Sequence, residues 1–356
     1  MSRMKRIFGL LAGLAILLAV AMHPAAKAQV QGLKWEKAAP FPEPEEELYG
    51  TSLNGKMYVF GGFGQGGHPV GMAWEYDPNG DKWTKKKTMP IPSHHSAVAT
   101  YRDKIYLFGG FTLYTSPNGG PNGWEPTSNA WEYDPATDNW KAIAPVPTRR
   151  GSPVAITVRN EIYVIGGASM NEGSKEPAVF AQGPSRSLTT NEAYNPETNK
   201  WETKNPMPTP RNHMYAGAVN GKIYVIGGRI ANPFITVASN LDIVEEYDTA
   251  TNQWGPQKTR MPTARSGGGF ATYDGKIYCA GGEVQTPQYL GAFRALEAYD
   301  AATNSWSILP YMPLPRHGVA TAFIGNKLHL VSGKITSGGA PDVQLATASH
   351  DVLEIK

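Results

Sequence analysis

Four arginines recur at one place in a repeating register. Arg150, Arg211, Arg265 and Arg316 each stand three residues after a proline and sixteen before a glycine-centred step. Glu45 and Ser93 occupy the same column in two further units. The next column holds Glu46, His94, Asn212 and His317, and the one after it Glu47, His95 and His213. Guanidinium forks match carboxylates, sulfates and phosphates. One reading is therefore an anion-binding ring of Arg150, Arg211, Arg265, Arg316, His94, His213 and His317 around a common opening. The other is a set of internal ion pairs, with Glu75, Glu132, Glu246 and Glu354 as partners.

The remaining chemistry is sparser. His94 and His95 are adjacent, so in a strand they would face opposite ways and could not share an ion. The sequence has no HExxH and no Cys/His cluster, so neither a metal nor a cofactor is expected. Cys279 is the single cysteine. It stands where sister units place Val59, Leu107, Val164 and Val225, the position of a small core hydrophobe. Arg229, Glu283 and Lys334 each follow a glycine pair or its degenerate form, where other units have Phe63, Phe111 and Ala168. Glu283 with Arg294 is the candidate catalytic pair.

These residues sit in a chain that repeats itself. Gly61-Gly62, Gly109-Gly110, Gly166-Gly167, Gly227-Gly228 and Gly281-Gly282, with a degenerate Ser332-Gly333, each close an apolar run such as Lys222-Ile223-Tyr224-Val225-Ile226. Tyr76, Tyr133, Tyr194, Tyr247 and Tyr299 are each followed seven residues later by a tryptophan, and the turns between them have hairpin chemistry. From each proline step to the next glycine step is nineteen residues, as from Pro208 to Gly227. The interval from glycine pair to tyrosine varies widely, which marks a surface loop. All such loops must leave one face. The stretch from Phe111 to Ala130 carries Tyr114 and Trp124, and that from Ala168 to Thr190 carries Met170, Glu176, Phe180 and Arg186. Their aromatics suit sugar stacking or protein contact, or equally fold back on the scaffold. Periods near 50 residues with this signature mean a propeller array.

The diglycine followed by a tyrosine and tryptophan seven apart resembles kelch repeats, over nearly all of residues 33–356. The resemblance implies an all-β, six-bladed propeller of four-stranded antiparallel blades. The last unit ends in a third strand at Val352-Leu353-Glu354-Ile355-Lys356. Leu33-Lys34-Trp35-Glu36-Lys37 is a fourth strand without a parent, so the N-terminal strand is expected to complete the last blade and close the ring. Some adaptor propellers of the family bind acidic peptides over arginines of this region. Copper oxidases similar to kelch propellers use a tyrosine joined to cysteine plus two histidines, which the core position of Cys279 argues against. Sialic-acid mutarotases similar to kelch propellers use a glutamate after the glycine step and a nearby arginine. Glu283 fits the first role, while the spacing of Arg294 fits the second poorly.

Residues 1–28 read as a signal peptide. Arg3, Lys5 and Arg6 precede an apolar run from Ile7 to Met22, and Ala26 and Ala28 stand where the peptidase reads small residues. The leader holds four basic residues and no acidic one. The expected mature domain, 29–356, then carries 29 basic and 30 acidic residues, a net charge of −1. No global basicity points to nucleic acid, and no stable membrane insertion is expected after cleavage. With 39 glycines and 29 prolines the chain is no helical bundle. The expectation is an exported, periplasmic or extracellular, non-catalytic binding protein. Its partner would be a protein or an acidic carbohydrate or peptide. A sugar mutarotase or epimerase is the alternative.

Overall fold

The computed structural model describes residues 32–64, 68–117, 122–180, 185–230, 239–286, 288–338 and 345–356. The leader expected over 1–28 lies outside these residues. Every regular element among the described residues is a strand, and six four-stranded antiparallel sheets form the framework. Blade 4 shows the unit. Tyr215–Val219 is innermost, followed outward by Lys222–Ile226, Val244–Asp248 and Gln253–Trp254. The inner strands pack side by side around the axis, and the first, Glu46–Leu53, closes on the sixth, Ala320–Ile324. Blade 6 takes its outer strand from the N-terminal segment: Trp35 pairs with Leu353, Glu36 with Val352 and Lys37 with Asp351.

The repeated side chains tie blade to blade. Each outer-strand tryptophan donates its indole N–H to a carbonyl in the link entering its own blade, as in Trp83 to Ala39 (3.0 Å), Trp201 to Ala144 (2.9 Å) and Trp35 to Tyr311 (2.9 Å). The tyrosine seven residues before it donates to an Asp or Asn in the hairpin turn, as in Tyr194 to Asn199 (2.8 Å) and Tyr247 to Asn252 (2.7 Å). That same Asx oxygen accepts a backbone N–H from the entering link, Ala144 in one case and Asn205 in the other. The Asx residues all lie at φ near +50°, where Asn and Asp are tolerated best. The Tyr–Trp spacing therefore encodes a clamp that holds each link against its blade. Apolar clusters fill the space between neighbouring blades, including one that joins Phe41, Leu48 and Trp83 to Ala320 and Val331.

The glycine pairs sit at the junctions. The second glycine donates to the carbonyl of the next link, as in Gly167 to Arg211 (3.0 Å) and Gly228 to Arg265 (3.0 Å). At Gly227 a Cβ would lie 2.8 Å from the Arg265 carbonyl, on top of a φ of +57°. Beyond the pairs, the variable loops of blades 2 to 5 begin as short two-stranded ribbons, such as Phe111–Tyr114 against Gly123–Pro126. These ribbons are an addition to the loop reading of the sequence. The loops and interblade links share one face, and tight turns form the other.

Deleting residues 32–42 removes the outer strand of blade 6 and the Phe41 anchor. The expected result is loss of the single cooperative thermal transition, with aggregation seen by size-exclusion chromatography. A stable monomeric product would contradict strand closure.

Candidate functional site

The link entering each blade does three things in succession. Its arginine-column residue is buried in every blade but the first, where Glu45 is half-buried. The next residue makes an antiparallel bridge to the residue after the glycine pair: His94 with Phe111, Gly151 with Ala168, Asn212 with Arg229, Ser266 with Glu283 and His317 with Lys334. The third residue then reverses the chain at positive φ. That column is Glu47, His95, Ser152, His213, Gly267 and Gly318, with φ of 55°, 58°, 55°, 55°, 68° and 57°. Five backbone bonds run round the ring: Ser152 N–H to His95, His213 to Ser152, Gly267 to His213, Gly318 to Gly267, and Leu48 to Gly318. At Gly318 an added Cβ would collide with the Glu47 backbone nitrogen. The four non-glycine members keep a conformation that costs L-residues about 1 kcal/mol or more each.

Glu47, His95, Ser152 and His213 line a cavity of about 90 Å³ at the loop-side end of the central channel, with Tyr49 beside them. It continues into a wider section of about 300 Å³ through shared walls at Gly50, Val98 and Thr321. The bridge partners supply charge to the same place. Arg229 reaches Glu283 (2.7 Å) and the Nε2 of His213 (2.8 Å). His317 Nε2 lies 2.9 Å from Glu46 and 3.6 Å from Glu47, and Lys334 lies 3.3 Å from Glu46. The far carboxylate oxygen of Glu283 accepts from Gly338 N–H (2.8 Å) and Gln285 (3.2 Å). Arg229, Glu283, His317, His94 and His95 are all buried.

Burial alone would discharge this cluster, and the neighbours decide which members keep their charge. Glu283 is held below the ordinary carboxylate range despite burial, because His317 and Arg229 face it. His317 is buried too, but Glu283 and Glu46 hold it protonated, with a pKa of about 10. Glu47 goes the other way: burial lifts it to about 7, offset in part by His317. Burial keeps His95 and His213 neutral, reinforced at His95 by His94 and at His213 by Arg229. The cavity thus brings together neutral imidazoles, a carboxyl that titrates near neutrality, and fixed ions.

The arginine column lies elsewhere. Arg150, Arg211, Arg265 and Arg316 are fully buried within their own blades. Arg150 pairs with Glu192 (2.8 Å), Arg211 with Glu245 (2.6 Å), Arg265 with Glu297 and Arg316 with Asp351 (2.6 Å). Each also donates to strand carbonyls, as Arg211 does to Val225, Gly227 and Ile243. These four guanidiniums therefore form no ring at the channel mouth. Where the sequence suggested a partner in the same blade, the observed one is offset by an odd number of residues, Glu245 for Glu246 and Asp351 for Glu354, and an odd offset reverses the face. Glu75, Glu132 and Glu246 instead accept from Tyr58, Tyr106 and Lys222, and Glu354 accepts from Asn326. Blades 1 and 2, which lack the arginine, carry Trp74 and Trp131 where the carboxylate would stand.

Of the other sequence candidates, His213, His317 and Glu283 meet at the channel mouth. Glu283 and Arg294 do not pair: Arg294 donates to the Met312 carbonyl (2.6 Å), and Arg229 takes the place beside Glu283. His94 and His95 do not face apart, because the reversal at His95 brings their Nδ1 atoms into hydrogen-bond contact. Cys279 is buried, and burial raises its thiol pKa. The loop aromatics fold back: Trp124 packs on Phe63, His94 and His95, and Tyr114 on Phe180. Glu47 was missed as a wall residue. Its signal was the glycine at the same column in blades 5 and 6, which betrays a left-handed position.

The chain matches the model of the KLHDC2/KLHL20/DRC7 Kelch-repeats domain over residues 25–181 and 187–333. It is similar to Kelch-like protein terF of Aspergillus terreus, 31% identical over 58% of this chain and 43% of that protein. It is similar to human Kelch repeat and BTB domain-containing protein 12, 30% identical over 50% of this chain and 29% of that protein. Alpha-scruin of Limulus polyphemus is 26% identical over 62% of this chain and 22% of its own length. The chain therefore spans less than half of each of these relatives.

The buried pairs give a stability test. Arg211→Met leaves Glu245 buried without its ion, and urea denaturation should show a loss of roughly 3–5 kcal/mol. Arg211→Met with Glu245→Leu should recover much of it. A single variant as stable as the parent would contradict a structural role.

Proposed function

The chain belongs to the kelch-repeat family of β-propellers, and from that premise we propose that it is a non-catalytic binding protein whose loop-bearing face receives a protein partner or an acidic ligand. The observation that carries the reading is the convergence of Arg229, His317 and Lys334 on the channel mouth. They lie on the face where the variable loops emerge. The opposite face, made of tight turns, offers no comparable concentration of buried charge among the described residues. An incoming carboxylate could exchange with Glu46 on Lys334 at the rim, where the existing contact is long. Proteins built on kelch propellers typically act through protein interactions, which favours a protein partner. The leader over residues 1–28 supports export to the periplasm or beyond.

A thermal-shift panel of acidic peptides and of sialic, uronic and sulfated sugars tests the reading. A ligand at 100 times its Kd stabilises by about 2.7 kcal/mol, which is a rise of a few degrees for a domain of this size. The rise should vanish in Lys334→Ala and persist in Lys200→Ala, on the turn face. For a protein partner, pull-down from envelope extract should follow the same two variants. Binding lost in Lys200→Ala and kept in Lys334→Ala would place the interaction on the wrong face.

A further inference from the structure

We propose that Glu47, His95 and His213 form a binding site for one divalent first-row transition-metal ion at the mouth of the central channel. The three side chains come from three blades, yet one ligand atom of each lies within 4.8 Å of the others. All three are buried and all three line the same cavity. His95 Nε2 already lies 3.3 Å from Glu47 Oε2. Two ligands held tetrahedrally at about 2.1 Å from zinc stand about 3.4 Å apart. Since no ligand atom is more than 4.8 Å from another, bringing the third to the same centre takes a side-chain adjustment of about 1.4 Å at most.

Both imidazoles are oriented as metal-bound histidines are. In each, the Nδ1 is taken by the side chain of the preceding residue: His94 Nδ1 for His95, and Asn212 Oδ1 (2.6 Å) for His213. Each Nε2 is thereby directed toward the axis. A hydrogen bond at one ring nitrogen, fixing the tautomer and the plane, is the usual second layer of a metal site. Two imidazoles and one carboxylate suit zinc, iron or cobalt over magnesium or calcium, which prefer all-oxygen sets. Three ligands leave coordination positions open toward the cavity.

A second trio, Glu46, Glu47 and His317, also falls within ligand distance. It is the weaker site, because Lys334 sits on Glu46 and occupies the place of a cation. Besides His317, 3.6 Å from Glu47 Oε1, the first trio faces a second cation, Arg229, which donates to His213 Nε2. Its other terminal nitrogen is on Glu283. A metal ion must displace the first of these bonds, and the second gives the guanidinium a partner to keep.

The test is titration of the purified, untagged protein with Zn²⁺ by calorimetry and with Co²⁺ by visible absorption. One ion per chain should bind, with the d–d bands of a low-coordinate Co²⁺ bearing nitrogen and oxygen ligands. Glu47→Gln and His213→Asn, checked for folding by circular dichroism, should each abolish it. Asn212→Ala, which leaves the ligands in place, should weaken it about 10- to 100-fold. Glu46→Gln should leave it within a few-fold. If His213→Asn fails to fold, Glu47→Gln and Asn212→Ala carry the same decision. No binding by the parent protein would overturn the proposal. So would affinity unchanged by Glu47→Gln and Asn212→Ala, which would place the ion elsewhere, at the exposed His68 or the His329–His350 pair.

Discussion

Six links must deliver their strands to one axis, and each does so by reversing the backbone at φ between 55° and 68°. That reversal sets both the closure of the ring and the direction of the side chains at its centre. The ring of backbone bonds through His95, Ser152, His213, Gly267 and Gly318 depends on it, because a strand in extended conformation would carry its carbonyl past its neighbour. A fold with no other purpose would place glycine in all six positions. This chain does so in two. In the other four it accepts the strain and aims two imidazoles, a carboxyl and a hydroxyl into the channel. Strained non-glycine residues gathered at one pocket are the usual mark of a site.

Charge is divided between two jobs, and the division follows geometry. The four arginines that stand two residues before the reversed column in the links to blades 3 to 6 are sealed inside blades, each opposite a carboxylate two residues before the tyrosine column. Where the arginine is absent the carboxylate is absent as well, replaced by Trp74 or Trp131. That coupling within one chain identifies the pairs as parts of the blade. The residues after the glycine pairs do the other job. Arg229, Glu283 and Lys334 are bridged by backbone to the link residues Asn212, Ser266 and His317, so they arrive at the channel mouth beside the reversed column.

Blade number, strand closure through Trp35 and the common face of the loops were legible in the sequence, because each follows from spacings that repeat. The Trp and Tyr columns were legible as interblade residues, though their hydrogen bonds to link carbonyls and turn Asx residues were not. The site was half legible. The histidines and Glu283 were visible as unusual types in their columns, but the alternation rule applied to His94 and His95 gave the wrong facing. A strand would separate them, whereas a positive φ at His95 brings them together. The arginine ring failed for a related reason: a column shared by four units describes what every blade needs, and a site is built from positions where the blades differ. Arg229 and Glu283 meet across two blades through ribbons that no single-unit spacing reveals.

Both proposals meet at the channel mouth, where the reversed column sets Glu47, His95 and His213 beside Arg229, His317 and Lys334, and a metal ion held by the first three is their sharpest consequence. Anomalous diffraction from crystals grown with Zn²⁺, measured on both sides of the zinc edge, tests this most directly. The account predicts one strong peak per chain on the channel axis, within bonding distance of those three side chains. A peak at His68 or at the His329–His350 pair with none on the axis would contradict it.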